Sequence, residues 1–160
     1  MKQEYWKLLM DIKAATYYYH FYAVNARRWQ TFTQVACAIA SSTFIISWYQ
    51  SGAFHILWAT LLFISQAIAI MQPFLPLENR QYAAGLIHRD ATKLFHEVEY
   101  TWYKMEYIGM DDDEIFLLME TYAARLEEVE GKYGDASLFP HKKHLYDRAM
   151  NNAEIYLRRY

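Results

Sequence analysis

The chain has 160 residues, room for one ordinary domain, and its 16 Lys and Arg against 18 Asp and Glu leave a formal charge of −2. That balance carries no polyanion signal, so nucleic acid is not an expected partner. A lone cysteine, Cys37, excludes an intramolecular disulfide and the usual cysteine-rich zinc sites, and the few Gly and Pro favour helix over sheet.

The first segment, residues 2–28, places Tyr5, Leu8, Leu9, Ile12, Ala15, Tyr19 and Tyr22 at helical spacings of three and four. It is mixed and charged, with no basic stretch running at once into an apolar core, so no cleavable signal peptide is expected. No Pro or Gly interrupts the run beyond it. The mean hydropathy of −0.16 hides a sharp contrast. Residues 29–77, 49 in all, contain no Asp, Glu, Lys or Arg.

That gap holds two apolar stretches, 31–49 and 53–75, separated by Gln50-Ser51-Gly52. About 20 residues at about 1.5 Å each cross a ~30 Å hydrocarbon core, so both are long enough to span a membrane. The alternative, two apolar helices inside a core, is disfavoured because core helices seldom exceed about 14 residues without a charge. The expectation is an all-α membrane protein with a two-helix hairpin, its long helices extending into a cytosolic bundle. Arg27, Arg28, Trp29, Trp48, Tyr49 and Arg80 are the expected interface anchors, and basic residues flanking the spans place both termini in the cytoplasm.

After Pro73 and Pro76, helix is expected over about 80–108, 111–130 and 140–160. The run Asp111-Asp112-Asp113-Glu114 suits a helix start, followed by a stripe of Ile115, Leu118, Met119, Tyr122, Leu126 and Val129. Gly131 to Gly134 should stop that helix, and Pro140 should open the last, with Leu145, Ala149, Ile155 and Leu157 inward. The domain layout is therefore an N-terminal cytosolic helix (1–30), a hairpin (31–75) and a cytosolic helical region (76–160).

Chemistry is sparse. Gln34, Ser41, Ser42, Ser47 and Gln66 are the polar residues expected to line a pore or to bond between helices. Gln34 and Gln66 either satisfy each other in one hydrogen bond or form polar rings around an oligomer. Ala36, Ala38 and Ala40 form a small-residue ridge suited to close helix packing. His55 falls at the outer interface. His96-Glu97-Val98-Glu99-Tyr100 begins like a zinc-protease HExxH but has Tyr where the second His is needed. His141 and His144 stand three apart without an evident third ligand and read as an exposed pair. No catalytic constellation, cofactor or metal is expected, and the chain reads as no enzyme.

A polar helix leading to Arg27-Arg28-Trp29, two spans with a tiny turn, and the helix YAAGLIHRDATKLFHEVEYTWYK together resemble the SLATT family. These are two-span effector domains associated with nucleotide-second-messenger synthetases and SLOG sensors. The likeness runs from about residue 17 to 131 and is clearest at His88, Arg89, Ala91, Leu94 and Glu97. It implies an oligomeric effector of the bacterial inner membrane that forms a pore or disrupts the bilayer in abortive-infection defence against phage. The implied partners are the lipid bilayer, further copies of the chain, and a sensor protein or nucleotide second messenger. The rival readings are a membrane-anchored helical interaction module whose hairpin is only a tether and, less favoured, a phage holin.

Overall fold

The computed structural model describes residues 1–40, 60, 63–64, 66–68, 70–71, 77–133 and 139–160. Among the described residues the chain is all-α, with four helices: α1 (Lys2–Ala40), α2 (Leu77–Tyr107), α3 (Asp112–Tyr133) and α4 (Lys143–Leu157). The chain divides into two compact units, Met1–Val24 with Arg80–Tyr160, and Asn25–Asn79.

The first unit holds two apolar clusters. One joins Tyr5, Leu9 and Ile12 of α1 to Leu94, Phe95, Val98 and Met105 of α2, Ile115 and Tyr122 of α3, and Leu157 of α4. The other joins Tyr19 and Tyr22 of α1 to Ala84 and Ile87 of α2 and Leu145 of α4. The α1 positions recur every three or four residues, so one stripe of a 3.6-residue helix enters both clusters. On α4 the buried set is Leu145, Ala149, Ala153 and Leu157. Ile155, expected inward, is exposed, because the four-residue spacing turns Ala153 to the core in its place.

The connections follow from local chemistry. Gly109 takes φ +80, a left-handed conformation that only glycine adopts freely, and so turns the chain between α2 and α3. Asp112, Asp113 and Glu114 fill the first turn of α3, where carboxylates meet unpaired N–H groups and the positive dipole end. α4 begins after Lys142 without a side-chain cap. The backbone N–H of Lys142 instead donates to the Tyr18 hydroxyl at 3.3 Å.

In the second unit, Asn25 to Ala40 continue α1. Thr33 is buried and donates to the Gln30 carbonyl at 2.8 Å, and the Trp29 and Phe32 rings meet edge to face at 6.0 Å. Residues 60, 63–64, 66–68 and 70–71 are helical.

The expected transmembrane hairpin requires correction. No helix among the described residues is long and apolar enough to cross a membrane. α1 carries Lys2, Glu4, Lys7, Asp11 and Lys13 on its first turns and Arg27 and Arg28 further on. Those charges break α1 into shorter uncharged runs, 14–26 and 29–40, within the described residues. The resemblance to the two-span SLATT family loses its basis with the hairpin. So do the pore-forming defence effector, the membrane tether, the holin, the bilayer as partner, and an inner-membrane location with both termini cytoplasmic. The homo-oligomer and the sensor or nucleotide trigger rested on that reading and fall with it. Ser41, Ser42, Ser47, Trp48, Tyr49 and His55, with most of both expected spans, lie outside the described residues.

Candidate functional site

The polar residues singled out in the charge-free gap form no site among the described residues. Gln34 and Ala38 are exposed on α1, Ala36 is half-buried, Ala40 is the last residue of that helix, and Gln66 is helical and exposed. Arg27, Arg28 and Trp29 are exposed as well, Trp29 by 56%. Arg80 is half-buried near the Tyr22 hydroxyl, and its Nε is buried with no hydrogen-bond partner among the described residues. His141 and His144 are both exposed, and the His141 ring stacks on Tyr18 at 6.4 Å.

The chemistry concentrates on α2. Its residues Ala84, Ile87, Ala91, Leu94, Phe95, Val98, Thr101 and Met105 are buried. The opposite side presents Tyr82, Leu86, Arg89, Lys93, His96, Tyr100, Tyr103 and Tyr107, at spacings alternating four and three. Tyr82, Tyr100 and Tyr107 are 70%, 72% and 84% exposed. The carboxylates of α2 beyond Tyr82 all turn to its flanks. Asp90 accepts from the Tyr133 hydroxyl of α3 at 2.7 Å, and Glu97 from Arg125 of α3, whose second nitrogen lies at 3.2 Å. Glu99 faces α4, and Glu106 pairs with Lys2 of α1 at 3.0 Å. The outer strip carries tyrosines, Leu86 and three basic side chains, with Asp90 beside Arg89 and Lys93 and Glu99 beside His96 at its edges.

Glu99 is the best-supported anion in the unit. It accepts hydrogen bonds from Tyr156 (3.0 Å), Tyr160 and His96 Nδ1 (3.3 Å), with the Arg159 guanidinium at 3.5 Å. Burial alone would raise its pKa, but the Tyr160, Tyr156 and His96 bonds outweigh it and hold the carboxyl below the usual range. The same contacts fasten the end of α4 to α2. Beside them the Lys13 ammonium lies over the rings of Tyr156 (3.7 Å), Phe95 (4.0 Å) and Tyr17 (5.3 Å). Burial lowers the Lys13 pKa, and Glu99 partly restores it. Ring faces supply negative potential to a cation that has given up water, worth about 0.5–2 kcal/mol per contact.

At the second cluster a carboxylate is treated differently. Tyr19 donates to Glu130 at 3.1 Å, its one hydroxyl partner here. Burial dominates, raising the pKa of Glu130 although the Tyr19 bond lowers it, and Glu127 adds to the rise. Between α2 and α3 lies a cleft of about 300 Å³ lined by Asp90, Lys93, Glu97, Arg125, Glu128 and Lys132. Two of its acids are engaged, Glu97 with Arg125 and Asp90 with Arg89, Lys93 and Tyr133, which makes that part of the cleft a salt-bridged seam. Among the described residues no group of three or more His, Cys, Asp or Glu stands ready for a metal ion.

Sequence reasoning missed Glu99, Lys13 and the outer strip of α2. The strip had a usable signal in the alternating four-three spacing of Tyr82 to Tyr107. Glu99 and Lys13 had little, because beyond the local His96 and Tyr17 their partners lie 57 or more residues away in the chain. No family model, no curated protein and no solved structure matches this chain.

Proposed function

We propose that this chain is a non-catalytic interaction module whose α2 outer face docks an acidic, amphipathic helical segment of another protein. One observation carries the reading: Tyr82, Tyr100, Tyr103 and Tyr107 stand exposed on one strip with Arg89, Lys93 and His96, with Asp90 and Glu99 at its edges. Tyr and Arg are the side chains over-represented in binding hot spots, since they bring large contact area and polar tips at modest entropic cost. A helix laid along such a strip reads it at intervals of three and four residues. Arg89 and Lys93 share the single carboxylate of Asp90, and the positive charge left over favours an acidic partner and steers its approach.

The test uses two labelled helical peptides of the same apolar pattern, one with Glu and Asp on its polar face and one with Lys and Arg. Fluorescence anisotropy should show saturable binding of the acidic peptide only, weakening with salt. Tyr100→Ala and Lys93→Glu should each reduce affinity about tenfold, or 1.4 kcal/mol. Equal binding of both peptides, or no effect of either substitution, refutes the reading.

A further inference from the structure

A second feature of α2 lies apart from its outer strip, in the seam with α1. His20 of α1 and His88 of α2 bring their rings to 5.1 Å between centroids, with the planes inclined by 51°. The Nδ1–H of His88 donates to the Thr16 carbonyl at 2.9 Å, one turn before His20 on α1. That bond fixes the His88 tautomer and leaves Nε2 with its lone pair. An imidazole held by a backbone carbonyl through one nitrogen, with the other nitrogen bare, is the usual arrangement of a metal-ligating histidine. His20 is exposed, so the pair opens to solvent.

The ring spacing discriminates between ways of sharing a metal. With metal–nitrogen bonds of about 2.0–2.1 Å, each ring centroid lies roughly 3.2 Å from the ion. Two imidazoles at a tetrahedral angle then have centroids about 5.2 Å apart, whereas two imidazoles on opposite sides of an ion, as on a haem iron, have them about 6.4 Å apart. The observed 5.1 Å matches the first spacing.

We propose that His20 and His88 form a two-imidazole site for a divalent transition metal, bridging α1 and α2. Its remaining positions are open to water or to an incoming donor, since no third His, Cys, Asp or Glu joins the pair among the described residues. Imidazole pairs follow the order in which Cu²⁺ binds more tightly than Ni²⁺ or Zn²⁺, so Cu²⁺ is the strongest expected occupant. The proposal is independent of the docking face, because neither histidine lies on the outer strip.

The experiment titrates the full chain with Cu²⁺, and separately with Zn²⁺, in a non-coordinating buffer by calorimetry, and records the Cu²⁺ electron paramagnetic resonance spectrum. The expected result is one equivalent of Cu²⁺ with a two-nitrogen signature, weaker Zn²⁺ binding at the same site, and a rise in melting temperature with added metal. His20→Ala, at an exposed position, should weaken Cu²⁺ binding at least tenfold, and His88→Gln should do the same. His144→Ala should change nothing. Unchanged Cu²⁺ affinity in His20→Ala, or loss of the site in His144→Ala, overturns the assignment.

Discussion

The two faces of α2 carry different side chains and put them to opposite uses. On the inner face aromatic and aliphatic groups are sealed against α1, α3 and α4, and each polar atom there has a partner: Thr101 with Tyr122 at 2.9 Å, the Val98 carbonyl with the Tyr5 hydroxyl at 2.9 Å. On the outer face, four tyrosines and three basic groups stand in solvent. Residue type and exposure together separate stability from recognition along this helix, aliphatic groups inside and tyrosines with basic groups outside. The flanking carboxylates keep the two apart, since each is turned sideways into a contact with a neighbouring helix.

Substitutions on the inner face should therefore cost stability and those on the outer face should not. The largest effect is expected at Phe95, fully buried and in contact with Lys13. Phe95→Ala should lower unfolding free energy by about 3–5 kcal/mol, read from the urea midpoint, through cavity formation and an unroofed ammonium. Glu99→Ala comes next. It leaves the hydroxyls of Tyr156 and Tyr160 without their acceptor, at about 1–3 kcal/mol, and should loosen the end of α4 in hydrogen exchange.

The flanking acids also predict opposite pH responses. Glu99 is held below the usual carboxylate range, so its stabilisation is complete above that range and is lost as pH falls through its lowered value. Glu130 is raised, so it costs stability above its raised value and that cost is relieved as pH falls toward the ordinary range. Melting curves from pH 7 to pH 3 should thus be flatter in Glu99→Gln. In Glu130→Gln they should start higher and fall more steeply. Parallel curves in both variants would remove the distinction. The smallest effect belongs to the outer strip, where Tyr100→Ala and Lys93→Ala should leave stability within about 0.5 kcal/mol while weakening peptide binding. A stability loss above that would make the strip structural.

The all-helical class was legible because it rests on local patterns. Tyr5, Leu9, Ile12, Tyr19 and Tyr22 are buried at the spacing that announces them, and the acidic run at Asp112 opens α3. Pro140 did not open α4, which begins at Lys143 once the Tyr18 hydroxyl has taken the Lys142 N–H. The membrane hairpin was inferred from absence of charge over a long gap, whereas no helix among the described residues is long and apolar enough to cross a membrane. The contacts that build the candidate sites were not legible. Tyr19 meets Glu130 across 111 residues, and Thr16 meets His88 across 72, distances at which no local pattern encodes a partner.

Those separations bear on the order in which the chain assembles. α2 and α3 are joined by a turn of a few residues at Gly109, so their contacts close a short loop and form quickly. The Tyr5–Val98 bond instead spans 93 residues. Closing a loop of that length costs about 4 kcal/mol in chain entropy before any contact rewards it. The contacts of α1 with α2 are therefore expected to form after those between α2 and α3, so substitutions at Tyr5 should speed unfolding more than they slow folding.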